Sequence, residues 1–273
     1  MRTVLITGAS SGIGQATVRE FSRRGWRVLA TMRRPADFAD AHLPNVTTLP
    51  LDVADPASVA AGVAAALRLA GRLDVVVNNA GYGGFGAFEL ATPAQVRVMY
   101  DVNVFGLMAV TRAVLPHFRA ARAGLFLNVS SVGGRMTYPL YSVYHSTKWA
   151  IEGFSESLYL ELRPLGIGVK LIEPGATRSG FNDRSQAQFE AGDLPDYATQ
   201  TAVMQAAVAH TFAQALPAEA VARTIYRAAT DGRLTLRYPV GNRRSRTLLH
   251  LRRWLPTQWF LTIIRRAAAR SRP

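Results

Sequence analysis

Short runs of β-branched and apolar residues alternate along the chain with longer stretches in which apolar residues recur at helical spacing. The short runs predict strands over Thr3–Ile6, Arg27–Thr31, Val46–Leu51, Leu73–Val77, Leu125–Val129 and Gly168–Ile172. The longer stretches predict helices over about Gly12–Arg24, Pro56–Ala70, Pro93–Met99, Val102–Arg122 and Ser142–Arg163. Strands that alternate with helices through short connections indicate a doubly wound parallel sheet with helices on both faces, a three-layer α/β/α fold.

The region from about Gly180 to Leu216 interrupts this rhythm, because it is polar and rich in glutamine and alanine. Ligands of an open parallel sheet bind beyond the carboxyl ends of the strands, so this region is placed to cover a substrate. The alternative is a variable surface loop. We expect a catalytic domain over residues 1–242, with a substrate lobe over about 180–216, and a basic amphipathic helical extension over 243–273.

The formal net charge of +14 is concentrated at one end of the chain. From Gly232 to Pro273 there are eleven arginines and no acidic residue, so subtracting 11 from 14 leaves +3 for residues 1–231. Apolar residues recur at helical spacing in the same segment, at Leu248, Leu251, Trp254, Leu255, Trp259, Phe260, Ile263 and Ile264. This segment either packs on the body or across a subunit interface, or it anchors the protein on an anionic membrane. No recognised nucleic-acid-binding module accompanies the arginines, and we expect no nucleic-acid partner.

Composition excludes several kinds of site. The 273 residues include no cysteine, which excludes disulfides, thiolate catalysis and cysteine metal sites. The five histidines have no ligand-like spacing, so we expect no metal site. Residues 1–6 have the pattern of a strand, which leaves no room for a signal peptide, and no apolar run approaches the ~20 residues of a membrane-spanning helix. We expect a cytoplasmic protein, peripheral at the membrane if its tail binds lipid.

Tyr144 and Lys148 are the strongest candidates for chemistry, because residues four apart share one face of a helix. An isolated phenol titrates near pH ~10, and a neighbouring ammonium stabilises the phenolate and lowers that pKa. Such a tyrosine can exchange a proton with a carbonyl or alcohol oxygen. The alternative is an ordinary pair on a solvated helix. However, only Lys148 and Lys170 among the 32 basic residues are lysines, which favours a specific role, and Ser131 lies thirteen residues upstream of the tyrosine.

A glycine-rich turn joins the first strand to the first helix, with the sequence Thr7-Gly8-Ala9-Ser10-Ser11-Gly12-Ile13-Gly14. Glycines let the backbone approach a ligand, and a helix N-terminus offers unpaired amides to a pyrophosphate. A plain tight turn is the alternative.

Two arginines, Arg33 and Arg34, follow the second strand, where the adenosine ribose of a dinucleotide would bind. An acidic residue there suits a free 2′-hydroxyl, whereas arginine suits a 2′-phosphate. The arginines therefore favour NADP over NAD, against the alternative that they are simply solvated.

These motifs together resemble those of the short-chain dehydrogenases/reductases, in the branch with a single Rossmann domain. They occur in the family's order and spacing over about residues 1–180, at Thr7–Gly14, Asp52-Val53, Asn78–Gly81, Asn103, Asn128–Ser131, Tyr144–Lys148 and Pro174-Gly175. The segment Arg237–Gly241, followed by arginine-rich helices, is similar to the subgroup of 17β-hydroxysteroid and retinol dehydrogenases.

The resemblance implies roles for individual residues. Tyr144 would be the acid/base, and Lys148 would lower its pKa and hold the nicotinamide ribose. Ser131 would hydrogen-bond the reacting oxygen, and Asn103 would anchor a water for proton relay. The implied cofactor-binding residues are Gly8, Ser10, Gly12, Ile13, Gly14, Arg33, Asp52, Val53, Asn79, Ala80, Gly81, Tyr144, Lys148, Pro174, Gly175, Thr177 and Ser179.

Two positions depart from the family's pattern. Ser179 stands where a threonine often contacts the nicotinamide carboxamide, and Ser11 stands where many NADP-preferring members have a basic residue. The implied function is an NADP-dependent oxidoreductase of a small apolar ketone, aldehyde or secondary alcohol, such as a steroid, retinoid or lipid, working as a homodimer or homotetramer. The alternatives are a cofactor-binding regulator or scaffold without activity, and a nucleotide-sugar epimerase or dehydratase, whose members are longer and space their glycines differently.

Overall fold

Parallel strands form the centre of the protein. The structure is a computed structural model that describes residues 1–179, Phe189 and residues 194–269. Its main strands are β1 (Thr3–Thr7), β2 (Arg27–Met32), β3 (Val46–Pro50), β4 (Val75–Asn78), β5 (Gly124–Val129), β6 (Ile167–Pro174) and β9 (Arg237–Val240). Two further strands, β7 (Thr177–Arg178) and β8 (Leu216–Pro217), form a small separate pair. The main sheet has the order β3-β2-β1-β4-β5-β6-β9, and every neighbouring pair in it is parallel.

Helices cover both faces of the sheet. They are α1 (Gly12–Arg23), α2 (Pro56–Ala70), α3 (Pro93–Tyr100), α4 (Gly106–Ala121), α5 (Ser142–Leu162), α6 (Ala198–Ala213), α7 (Ala218–Thr230), α8 (Arg243–Trp254) and α9 (Thr257–Ala269). One apolar core packs α1 and α7 against the sheet, and a second core packs α2, α4 and α5 against its other face. This arrangement confirms the doubly wound α/β fold, and strands buried on both faces explain the continuous apolar runs of the sequence.

The end of the sheet was incompletely predicted. β9 pairs with β6, with Leu171 opposite Arg237 and Glu173 opposite Pro239. Pro239 cannot donate a ladder hydrogen bond, which suits a strand at the edge of a sheet. The same proline made this segment hard to recognise as a strand from the sequence. The amphipathic helix α7, which precedes it, was also not predicted. Within the expected substrate lobe the structure describes α6, whereas residues 180–188 and 190–193 lie outside the described residues.

The two helices predicted over Pro93–Met99 and Val102–Arg122 are one continuous helix, Pro93–Ala121, of 29 residues. Its most apolar 18-residue window has a mean hydropathy of 1.4, enough to cross a membrane by length and composition, so the expectation that no segment approaches this length was wrong. The buried share of that window is 44%, and Val110, Val114 and Phe118 belong to the core beside α2. Core helices of globular proteins have a similar apolar composition because they too are packed inside the protein.

The C-terminal extension consists of the helices α8 and α9. Leu249, Phe260 and Ile264 are buried against Val132 and Met136 of the body. The extension therefore packs part of its apolar surface on its own chain, as one of the alternatives held. Its separation from the catalytic domain at residue 243 stays a prediction.

Candidate active site

A cleft of about 880 Å³ lies at the carboxyl ends of the strands. It contains the crevice between β1 and β4, where the order of the sheet reverses and dinucleotides bind in doubly wound folds. Most of the candidate residues line it, namely Gly8, Ser10, Gly12, Ile13, Arg33, Asp52, Val53, Asn79, Ala80, Gly81, Ser131, Tyr144, Lys148, Pro174, Gly175, Thr177 and Ser179. Gly14 and Asn103 are not among the lining residues, and each supports the cleft from behind.

The glycine turn after β1 needs glycine at each of its three positions. Gly8 and Gly12 have φ angles of 63° and 56°, in the left-handed region that side chains disfavour. At Gly14 a Cβ atom would lie 2.3 Å from the Gly8 carbonyl oxygen and 2.6 Å from Asn79 Nδ2. The turn therefore brings the backbone and the start of α1 to the cleft with no side chain between them, which suits an anionic ligand.

Asn79 fixes this turn from the neighbouring strand. Its Nδ2 donates to the carbonyl oxygens of Thr7 at 2.9 Å and Gly8 at 3.1 Å. In return, Thr7 Oγ1 accepts from the backbone amides of Asn79 and Ala80, each at 3.1 Å. The segments after β1 and β4 are thus tied into one wall of the cleft.

Ser131, Tyr144 and Lys148 converge at the ends of β5 and β6. Lys148 is 5% exposed, and its Nζ donates to the Val129 carbonyl oxygen at 3.0 Å. Ser131 Oγ accepts from the Gly133 amide at 3.0 Å, lies 3.3 Å from the Pro174 carbonyl oxygen, and hydrogen-bonds the Tyr144 phenol. The three side chains selected from the sequence therefore form one group facing the cleft.

Asn103 lies in a π-helical turn, Asp101–Phe105, inside the long helix. Its Oδ1 accepts from the Tyr82 amide at 3.0 Å, and its Nδ2 donates to the Tyr82 carbonyl at 2.8 Å and to Thr147 Oγ1 at 3.0 Å. The side chain thereby joins the turn after β4 to α5, between the positions of Tyr144 and Lys148. Its implied role in anchoring a water stays a prediction.

Burial controls the titration of Tyr144 and Lys148. It raises the pKa of Tyr144 to about 12, against the lowering effect of the Ser131 hydrogen bond. It lowers the pKa of Lys148 to about 8, against the raising effect of Glu152. Nζ of Lys148 lies 5.8 Å from the centre of the Tyr144 ring and donates to Val129, and the expectation that its charge lowers the tyrosine pKa stays a prediction. Tyr144 is consequently a protonated phenol at neutral pH, ready to donate.

The two arginines after β2 have different surroundings. Arg34 forms an ion pair with Asp37 at 3.3 Å, with both side chains largely exposed. Arg33 lines the cleft and has no ion pair among the described residues. Arg33 is therefore the guanidinium available to a ligand.

The segment after β6 closes the other side of the cofactor end. Thr177 Oγ1 donates to the Gly175 carbonyl at 2.9 Å, and Ser179 Oγ lies 3.3 Å from the Thr177 carbonyl. A Cβ atom on Gly12 would lie 2.9 Å from Ser179 Cβ, so this segment packs directly on the glycine turn. On the adenosine side, Asp52 Oδ1 accepts from the Ala54 amide at 3.0 Å, which fixes the loop that carries Val53.

The cleft is also lined by residues that the sequence did not identify as site residues. They include Tyr138, Tyr141, His145, Met204, Val208, Phe212, Leu248, Ile264 and Ala267, together with the polar residues His210, Thr211, Gln214, Asn242 and Ser245. His145 is buried, which lowers its pKa to about 4 and keeps it neutral. The helical spacing of apolar residues in the C-terminal extension predicted that they pack on a partner surface. It did not indicate that any of them would line this cleft.

A buried ionic network begins one helical turn beyond Lys148, at Glu152. Glu173 is fully buried, with Arg135 at 3.6 Å and Arg237 at 3.5 Å. Arg237 also pairs with Glu152, one turn beyond Lys148, at 3.0 Å, and with the exposed Glu156. Burial, aided by the charge of Glu152, raises the pKa of Glu173 to about 7. No group of three histidine, aspartate or glutamate side chains among the described residues could hold a metal ion.

Comparison with known proteins gives the site a context. The family model described as short chain dehydrogenase matches residues 2–190. A protein of Bacteroides thetaiotaomicron named 3-ketodihydrosphingosine reductase is 41% identical over 195 residues, which are 71% of each chain.

Solved structures agree with this match. A short-chain dehydrogenase from Streptomyces avermitilis has a TM-score of 0.81 and 31% identity, over 98% of this chain and 97% of that one. A short-chain dehydrogenase/reductase from Burkholderia phymatum in complex with NAD has a TM-score of 0.80 and 25% identity, over 92% of each chain. ElxO with NADP bound has a TM-score of 0.72 and 25% identity, over 87% of this chain and 97% of that one. Similar structures thus hold either form of the cofactor.

The raised pKa of Glu173 predicts a pH-dependent cost in stability. A carboxyl group whose pKa rises from 4.5 unfolded to about 7 folded contributes stability below pH 4.5, and this is lost as pH rises through 7. Relative to Glu173→Gln, the free energy of unfolding of the wild type should therefore fall by about 3 kcal/mol at most between pH 4.5 and 8. Urea unfolding at several pH values measures this difference. Glu156→Gln, at the exposed partner of the same arginine, is the control, and parallel pH curves for Glu173→Gln and wild type would contradict the prediction.

Proposed function

Because the chain belongs to the short-chain dehydrogenase family, we propose that it is an NADP-dependent oxidoreductase acting on an apolar ketone or aldehyde, or on the corresponding secondary alcohol. The observation that carries this proposal is the Tyr144 phenol, hydrogen-bonded to Ser131 and one turn from the buried Lys148, at the junction between a dinucleotide crevice and an apolar cavity. General acid, oxygen-binding hydroxyl and buried cation are the groups that carbonyl reduction requires.

The cleft fits a nicotinamide dinucleotide. Gly8 and Gly12 of the glycine turn line the cleft at the start of α1, where helix amides would suit a pyrophosphate. Ser10, Ile13, Asp52, Val53, Ala80 and Gly81 line the same end, and Pro174, Gly175, Thr177 and Ser179 line the end near Tyr144. When bound, the cofactor would supply or accept the hydride, which no side chain of this protein can do.

The protein's own residues would handle the proton and the oxygen. Tyr144, protonated because of its pKa of about 12, would donate to the oxygen of a carbonyl as negative charge develops on it. Ser131 would hold that oxygen from the side, and Lys148 would stabilise the resulting phenolate by its positive charge. In the oxidation direction the same groups would act in reverse.

Preference for NADP rests on Arg33. Its guanidinium lines the cofactor end and forms no ion pair within the described residues, whereas Arg34 is paired with Asp37. A planar guanidinium binds a phosphate by charge-assisted hydrogen bonds, and no carboxylate stands beside it in Thr31–Arg34 to bind a free 2′-hydroxyl.

An apolar substrate is favoured by the lining beyond Tyr144. Met204, Val208 and Phe212 of α6 line the cavity together with Leu248 and Ile264 of the extension. The similar Bacteroides protein is named a 3-ketodihydrosphingosine reductase, and a keto lipid of that kind would suit these walls. Family resemblance also favours a homodimer or homotetramer as the working form, in the cytoplasm.

Tyr144→Phe should reduce kcat by about 10²- to 10⁴-fold, because it keeps the ring but removes the proposed proton donor, together with its hydrogen bond to Ser131. NADPH binding, measured by fluorescence titration, should stay within about twofold of the wild-type value, since only one of many cofactor contacts changes. Tyr159→Phe, which removes a hydroxyl from the same helix outside the cleft, is the control. A kcat equal to the wild-type value on a panel of apolar ketones would exclude Tyr144 as the acid. NADPH binding without any turnover by the wild type on that panel would instead favour the inactive regulator.

Arg33→Ala should weaken NADPH binding by about 1–3 kcal/mol, the range for a hydrogen bond to a charged group. NADH binding should hardly change, because NADH lacks the 2′-phosphate. Arg34→Ala is the matched control and should affect neither cofactor. Isothermal titration of both cofactors against the three proteins measures this, and equal losses for NADPH and NADH would show that Arg33 does not select the phosphate.

A further inference from the structure

The C-terminal helices bury one side and expose an aromatic side. Phe260 and Ile264 are 1% and 4% exposed, whereas Trp254 and Trp259 are 69% and 68% exposed. Trp259 and Ile263 are four residues apart on α9 and so share a face, which is turned about 100° from the face that carries Phe260 and Ile264. We call Trp254, Trp259 and Ile263 the C-terminal ridge. Each of its side chains is exposed, although large apolar groups gathered on a surface usually mark an interface.

Only positive charge occurs in the segment that carries this ridge. Among residues 232–273 there are eleven arginines and no acidic residue, and Arg253 and Arg266 are exposed. The Arg253 guanidinium lies 5.5 Å from the centre of the Trp254 ring. Arg266 falls on the same helical face as Trp259 and Ile263. The partner of this surface must therefore accept apolar side chains and positive charge together.

An isologous contact with a second copy fits this surface poorly. In a twofold interface the same patch meets itself, which would bring the arginines of two ridges together with no acidic residue in either segment to offset them. Nucleic acid would attract the arginines and stack on tryptophan, but it offers nothing to Ile263. An anionic bilayer accepts all of these groups, because aromatic and aliphatic side chains enter the interface while arginines stay at the headgroups.

We propose that the C-terminal ridge docks the protein on anionic lipid bilayers. The two helices that carry the ridge also form part of the wall of the cleft, since Leu248, Ile264 and Ala267 line it. A docked enzyme would thus hold this wall of its cavity near the lipid surface, a consequence that rests on the proposed function, whereas docking itself does not.

Vesicle co-sedimentation of the full-length protein tests the docking. Vesicles of phosphatidylcholine with phosphatidylglycerol should bind the wild type at low salt, and pure phosphatidylcholine vesicles should bind it at least about tenfold more weakly, because binding combines apolar burial with headgroup attraction. Binding should weaken as salt rises, since exposed charges are screened over about 10 Å at 0.1 M.

Substitutions separate a docked ridge from a general attraction of a basic protein. Trp254→Ala with Trp259→Ala should weaken binding to the anionic vesicles by about tenfold or more, since apolar insertion is lost while the charge is kept. Trp149→Ala, which removes an exposed tryptophan on α5, should leave binding unchanged. Tryptophan fluorescence of the wild type should shift to shorter wavelength on binding, and most of that shift should disappear in the double variant.

Three results would overturn the proposal. They are absence of binding to anionic vesicles at low salt, equal binding by the double variant and the wild type, and a change of oligomeric state in the double variant by analytical ultracentrifugation, which would make the ridge a subunit interface. Ketone reduction in solution is measured alongside. If docking is lost while turnover of a soluble ketone persists, the proposed function stands independently of the membrane.

Discussion

The hydrogen bond from the Lys148 ammonium to the Val129 carbonyl, 3.0 Å long, is the contact on which the site depends. It joins α5 to the end of β5, so that the helix carrying Tyr144 is held in register with the edge of the sheet where the cofactor crevice opens. Because Lys148 is buried, its pKa falls to about 8, and its charge is costly to keep without this partner. Asn103, through Thr147, and Ser131, through Tyr144, fix the same helix from two other sides.

The scarcity of lysine has a physical meaning that differs from the one expected. Both lysines are buried, and Lys170 donates to the Ala228 carbonyl at 2.7 Å and to Asp231 at 2.8 Å, far from the cleft. The two buried positions hold lysine, whose compact ammonium can be satisfied by a carbonyl oxygen. The arginines lie nearer the surface. The scarcity of lysine therefore pointed to buried cations in general. Only the spacing from Tyr144 identified Lys148 as the catalytic candidate.

Features encoded locally were predictable from the sequence. The six predicted strands of the main sheet, the glycine turn and the spacing of Ser131, Tyr144 and Lys148 depend on neighbouring residues, and the structure brings them together as expected. Features that depend on distant packing were not predictable. Three features form only when distant parts of the chain pack together. They are the edge strand β9, the ion pairs of Glu173, and the contact of Leu248 and Ile264 with the cleft. The raised pKa of Tyr144 belongs to the same group, because desolvation cannot be read from spacing.

Hydride transfer in the cleft is the central claim, and isotope transfer tests it most directly. NADPH carrying deuterium at the reactive C4 position of the nicotinamide would be incubated with the protein and a long-chain methyl ketone, and the alcohol analysed by mass spectrometry. Our account predicts one deuterium bonded to the carbinol carbon in the product. Alcohol formed without deuterium at that carbon, or cofactor consumed without alcohol, would contradict it.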